Sequence, residues 1–182
     1  IIRYSERLYK TGQWKAVSPR GLKKKYLDHT RYRKAPVFLL CAGAYVASDF
    51  HIVRAYPNKM FRWGYFPECK EYDIEKLWEE KVYADTKKEI LWAARFIDWK
   101  HPELVVELTE ELVKKRKDFH ITMLGGGELQ PAIESHLQEK KLEAFITLAG
   151  TKNPAQVREM MEQSPIFLMT SDRQEGWGAV MN

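Results

Sequence analysis

Hydrophobic positions in the second half of the chain switch repeatedly between two periods. "EILWAA" (Glu89 to Ala94) is a short continuous apolar run, which predicts a buried strand ending at Arg95. From His101 to Phe119, Leu104, Leu108 and Leu112 recur at helical spacing, joined by Val105. Glu107, Glu110, Glu111, Lys114 and Lys115 take the outer face, with Glu preceding Lys by four residues, and Pro102 suits a first helical turn. "HITML" (His120 to Leu124) predicts the next strand and runs straight into Gly125-Gly126-Gly127. A second helix follows with Leu129, Ile133 and Leu137 on one stripe, then a strand in "AFITLAG" (Ala144 to Gly150). "NPAQVREMMEQS" predicts a third helix, with Asn153 as N-cap, Pro154 at its first position, and Val157, Met160 and Met161 inward. "IFLMT" (Ile166 to Thr170) is the last strand. Strands alternating with helices in this way predict an α/β fold with a parallel sheet and flanking helices.

The first half carries a weaker pattern. "PVFLLCAG" (Pro36 to Gly43) predicts a buried strand, "ASDFHIVRAYP" a short helix with Ser48 as its cap, and "KMFRWGYF" another strand. Residues 67–88 are polar and acidic and read as a connector between two lobes. The organisation expected is therefore a first domain over 1–66, the connector, and a Rossmann-like domain over 89–182. The chain opens "IIRYSERLYK" and closes on "AVMN", the first turn of a helix. Both ends read as cuts through a longer protein.

Composition narrows the class. No apolar run approaches the ~20 residues that a membrane-spanning helix needs. Cys41 and Cys69 have no metal-like spacing, so reduced thiols in a cytoplasmic protein are expected. Charge is uneven: residues 1–36 hold eleven Lys and Arg against Glu6 and Asp28, a net +9, and the remainder nets −4. Such a segment fits an anionic partner such as lipid head groups, pyrophosphate-bearing acceptors or nucleic acid, the last not expected here, and equally a basic face of a larger domain.

In a parallel α/β sheet, ligands sit beyond the carboxyl ends of the strands. The loops there are residues 95–101, 125–128, 150–153 and 171–178. Arg95 and Lys100 flank the start of a helix, so they read either as a diphosphate clamp reinforced by the helix end or as a solvated lysine and a paired arginine. Gly125, Gly126 and Gly127 either let backbone approach a ligand or make a tight turn. The dinucleotide fingerprint fails, because Gln130 stands where its third glycine belongs, and no GK[ST] is present. In "SDRQEGWGAVMN", the amides of Gly176, Trp177 and Gly178 can face phosphate, while the Glu175 carboxylate suits sugar hydroxyls. A surface turn with a solvated acid is the other reading of that loop.

Together the R-x4-K pair, the glycine loop and the EGWG loop resemble the C-terminal domain of retaining GT-B glycosyltransferases of the group 1 class, glycosyltransferase family 4. The resemblance runs over about Glu89 to Asn182, and more faintly over "YPNKMFRWGYFPE". It implies a GT-B fold that transfers a hexose from a nucleoside-diphosphate sugar to an acceptor hydroxyl with retention. By it, Arg95 and Lys100 bind the donor diphosphate and Glu175 is the first glutamate of an E-x7-E motif, holding sugar hydroxyls. Gly125 to Gly127 and Gly176 to Gly178 offer backbone to donor, and Thr151 lies beside the base. The second motif glutamate falls at position 183, one past the end of the chain. The resemblance implies no metal and no cofactor: the nucleotide sugar is the donor substrate. The departing phosphate takes the acceptor proton. The partners implied are a saccharide or lipid-linked saccharide acceptor and an anionic membrane surface touched peripherally from the cytoplasm, in cell-surface polysaccharide or glycolipid synthesis. A same-fold nucleotide-sugar epimerase or phosphorylase, and a non-catalytic basic binding module, are the competing readings.

Overall fold

The computed structural model describes residues 1–8, 18–66, 70–83, 88–172, 174, 175, 178 and 180. The chain divides into two compact units, Ile1–Cys69 with Arg173–Asn182, and Lys70–Asp172.

The first unit is built on three parallel strands, β1 (Ile2–Ser5), β2 (Phe38–Ala42) and β3 (Met60–Trp63), with β2 in the middle. Helix α1 (Pro19–Asp28) lies between β1 and β2, and α2 (Val46–Ile52) between β2 and β3. Val37, Leu39, Val46, Phe50 and Tyr56 form the centre of its core. Strand β1 is not visible in the hydrophobic pattern: four residues flanked by charge, with Ile2 69% exposed, make no apolar run. Ser48 does not cap α2. The helix starts earlier, its N-cap is Tyr45 with no side-chain cap bond, and the Ser48 hydroxyl donates to the Tyr45 carbonyl at 2.7 Å. Asp49 on α2 is buried and accepts from Arg7 Nε at 3.2 Å, Arg7 Nη2 at 3.1 Å and the Leu8 amide at 3.1 Å.

The second unit opens with α3 (Ile74–Tyr83), a ten-residue helix inside the segment read as a connector. It continues through β4 (Lys88–Ala93), α4 (Pro102–Val113), β5 (Phe119–Leu124), α5 (Gln130–Lys140), β6 (Ile146–Leu148), α6 (Pro154–Gln163) and β7 (Ile166–Leu168). All its strands are parallel, in the order β6-β5-β4-β7. The alternation expected from the sequence is therefore present, and the order gives it a consequence. The chain moves outward from β4 through β5 to β6, then returns to the far side of β4. The carboxyl ends of β4 and β7 thus flank the switch point of the sheet, where open α/β folds bind ligands. Trp92, on β4, stands opposite Met123 on β5 and Leu168 on β7.

Helix α4 differs from expectation in length and in face. It stops at Val113, where the Lys115 and Arg116 amides both close onto the Leu112 carbonyl at 2.8 Å. Phe119, read as the end of the helix, is the first residue of β5 and stacks on Phe145 at 5.3 Å. Val105, Val106 and Thr109 face the sheet, while Leu104 is 42% exposed. Thr109 hid this stripe by being polar, yet its hydroxyl donates to the Val105 carbonyl at 2.8 Å and enters the core satisfied. Asn153 caps α6 as expected: it accepts from the Gln156 amide at 2.9 Å, and the Gln156 side chain accepts from the Asn153 amide at 3.1 Å.

Candidate functional site

Three of the predicted loops meet within the second unit at the carboxyl ends of β4, β5 and β6. The Gly125 amide donates to the Gly150 carbonyl at 2.9 Å, and the Phe96 amide donates to the Gly126 carbonyl at 3.0 Å. The glycines are required by this convergence. Gly125 has φ +126°, and a Cβ there would lie 1.9 Å from the Ala94 carbonyl oxygen; at Gly127 a Cβ would lie 2.5 Å from the Phe96 carbonyl oxygen. Backbone packed against backbone leaves no room for a side chain at either position. Gly126 is different. A Cβ would meet only Gln130 Oε1 at 3.3 Å and Thr151 Oγ1 at 3.5 Å, so this residue and Thr151 face the same space.

Arg95 leaves β4 exposed, with its guanidinium 5.8 Å from the Trp99 ring centroid, a cation–π distance. Asp98 to Lys100 form a single 3-10 turn, in which the Lys100 amide donates to the Ile97 carbonyl at 3.0 Å. His101 then takes a left-handed conformation (φ 49°, ψ 57°), and Pro102 starts α4. The bend brings Arg95 and Lys100 onto one short loop beside a helix N-terminus, whose unpaired N–H groups carry partial positive charge.

The residues that hold this loop carry no signal in the sequence. Trp92 Nε1 donates to Thr170 Oγ1 at 2.8 Å, and Thr170 Oγ1 donates to the Lys100 carbonyl at 2.5 Å. The Asp172 amide donates to the Trp99 carbonyl at 3.1 Å. His101 stands between two carboxylates, with Nδ1 at 2.7 Å from Glu103 Oε1 and Nε2 at 3.4 Å from Asp172 Oδ2. Bonding to Glu103 first, and then to Asp172, raises the imidazole above its ordinary value against the lowering effect of burial. The turn after β4 and the residues after β7 are thus tied together at three points, with Trp92 of β4 adding a fourth contact to Thr170. Trp92 reads in the sequence as one more apolar strand residue, and His101 as a loop boundary; no spacing rule joins either to residues some seventy positions away.

Glu175 and Gly178 are half-buried, and Glu175 lies three residues beyond Asp172 in the chain. Gly176 and Trp177 lie outside the described residues, as do Cys69 and the final helical turn expected at "AVMN", of which only Val180 is described. Among the described residues, no helix is long and apolar enough to cross a membrane.

The architecture is shared with solved GT-B glycosyltransferases. A variant of S. aureus TarM, in complex with fondaparinux, α-GlcNAc-glycerol and UDP, matches 94% of this chain with a TM-score of 0.65 and 16% identity. Anabaena HepE in complex with UDP-glucose matches 93% at 0.64 and 12% identity, and WaaG, a glycosyltransferase involved in lipopolysaccharide biosynthesis, 93% at 0.62 and 12%. The match takes up 32% of the TarM chain, 46% of HepE and 50% of WaaG, so this chain spans a third to a half of their length. No curated protein matches the chain in sequence. These likenesses define the fold as GT-B. The sequence model of the glycosyl transferases, group 1, matches residues 73–181, and the chain belongs to that family.

Proposed function

We propose that the protein of which this chain is part transfers a hexose from a nucleoside-diphosphate sugar to a saccharide hydroxyl with retention of anomeric configuration. The observation that carries this reading is the placement of Arg95 and Lys100 on one loop at the switch point of the sheet, with the Lys100 carbonyl bonded to Thr170. The leaving diphosphate gains negative charge as the glycosidic bond breaks. Two cations and the N-terminus of α4 are preorganised to receive it, so the reading needs no metal. Gly126 and Thr151 border the same space and would contact the nucleotide, with Gly125 and Gly127 shaping the loop. Glu175 would accept from donor-sugar hydroxyls, and Gly176 to Gly178 would offer amides to phosphate and sugar.

The named complexes support the substrate class of this reading: HepE was solved with UDP-glucose, and TarM with UDP and a GlcNAc-glycerol. On this reading residues 1–66 belong to the acceptor side, 67–88 connect the lobes, and 89–182 hold the donor. The +9 segment would bring the enzyme to an anionic cytoplasmic membrane surface, in cell-surface polysaccharide or glycolipid assembly. Saturation-transfer NMR with UDP, GDP, ADP and their hexose derivatives tests the donor site. Binding of one nucleotide, lost in Arg95→Ala and weakened in Lys100→Ala, is the expected result; binding by both variants as strong as by the wild type would sink the assignment. Failure to bind anionic vesicles at low salt would remove the membrane role alone.

A further inference from the structure

We propose that His101, held between Glu103 and Asp172, is a positioning residue that sets the Lys100 turn for diphosphate and makes donor affinity fall as pH rises. The inference rests on the donor-site reading above.

Both imidazole nitrogens face carboxylate oxygens, Nδ1 toward Glu103 and Nε2 toward Asp172. An ionised carboxylate only accepts, and a neutral imidazole carries one N–H, so both contacts are satisfied only by the doubly protonated ring. Among the described residues, these two carboxylates, one from α4 and one from the loop after β7, are the charged groups that raise it. When the proton leaves, one contact becomes a repulsion between lone pairs.

What the ring joins gives the proton its consequence. His101 directly follows Lys100 and caps α4 in a left-handed conformation, while Asp172 is already bonded through its amide to Trp99. The charged ring therefore closes a second tie across the two residues that flank Lys100. Both of its nitrogens are committed to carboxylates, so it acts through the loop and has no proton to offer a ligand. The sign follows from the direction of the shift. The tie is whole below the ordinary histidine value of about 6.5 and is lost as pH climbs through the higher value in the folded chain.

The test is calorimetric titration of the full chain with UDP-glucose, GDP-mannose and ADP-glucose from pH 5.5 to 9. Their doubly esterified diphosphates do not titrate in that range. Wild-type affinity for the bound sugar nucleotide is expected to fall about fivefold across it, the scale of one partly exposed ion pair. His101→Gly, which suits the left-handed backbone, should bind at every pH at the wild type's weak high-pH level. His101→Arg, which keeps a cation between the carboxylates, should bind at every pH as the wild type does at 5.5. A flat wild-type profile, or full affinity of His101→Gly at pH 5.5, overturns the proposal while leaving the clamp intact. Unchanged binding by Arg95→Ala, or no binding of any probe, overturns the clamp and this inference with it. Titration of the His101 ring proton by NMR is the second measurement: a value at or below 6.5 is fatal to the inference whatever the ligand data show.

Discussion

Thr170 donates its hydroxyl proton to the carbonyl of Lys100 and accepts the indole proton of Trp92, so one side chain links the centre of the sheet to the lysine turn. Trp92 is only 1% exposed, so its N–H depends on this partner. The hydroxyl therefore serves the core and the candidate clamp at once.

Thr170→Val should separate these duties. It keeps the shape, strands the Trp92 N–H, and is expected to cost about 1–3 kcal/mol in denaturant unfolding. Thr170→Ser should recover most of it. Loss of nucleotide binding out of proportion to stability would mark the Lys100 turn as the sensitive part.

Gly125 and Gly126 are adjacent but not equivalent. Gly125→Ala drives a methyl into the Ala94 carbonyl and should leave little folded protein, since no flexible side chain can yield there. Gly126→Ala meets only side-chain atoms and should cost about 1 kcal/mol or less. Thermal melts of the pair decide this, and a Gly125→Ala melt close to wild type would refute the packing account.

Asp49 is a buried charge of the first unit. Asp49→Ala leaves Arg7 unmatched and the Leu8 amide without its acceptor, and should destabilise by about 3 kcal/mol. Circular dichroism against urea measures it. Arg7→Met should cost at least as much, since it leaves the buried carboxylate without its counter-charge.

His29 makes that unit sensitive to acid. Burial, with Arg3 and Lys25 nearby, pulls the ring down to about 4, and it shares a 3.0 Å hydrogen bond with Tyr56 Oη. In the unfolded chain the ring takes a proton near 6.5, so stability should fall as pH drops from 6.5 toward 4. The urea midpoint should fall between pH 7 and pH 4.5 in the wild type. His29→Leu should show a smaller fall, and an equal fall would refute the assignment.

The sequence alone determined the second unit's class. Apolar runs alternating with 3.6-period stripes between "EILWAA" and "IFLMT" require strands and helices in turn, and covered strands in that series can only be parallel. It also marked Arg95 and Lys100, because their spacing and the helix after them are local facts. Tertiary structure alone decided the rest. That α4 buries Val105 and Thr109 rather than Leu104 depends on the sheet it meets. That β1 is a strand depends on pairing with β2, since four residues carry too little hydrophobic signal to declare themselves. The roles of Trp92, Thr170, His101 and Asp172 could not be read from the chain, because their partners lie up to 78 positions away. Periodicity reports which face of an element is apolar, whereas a hydrogen bond between two loops exists only once the strands beneath them have been placed in order.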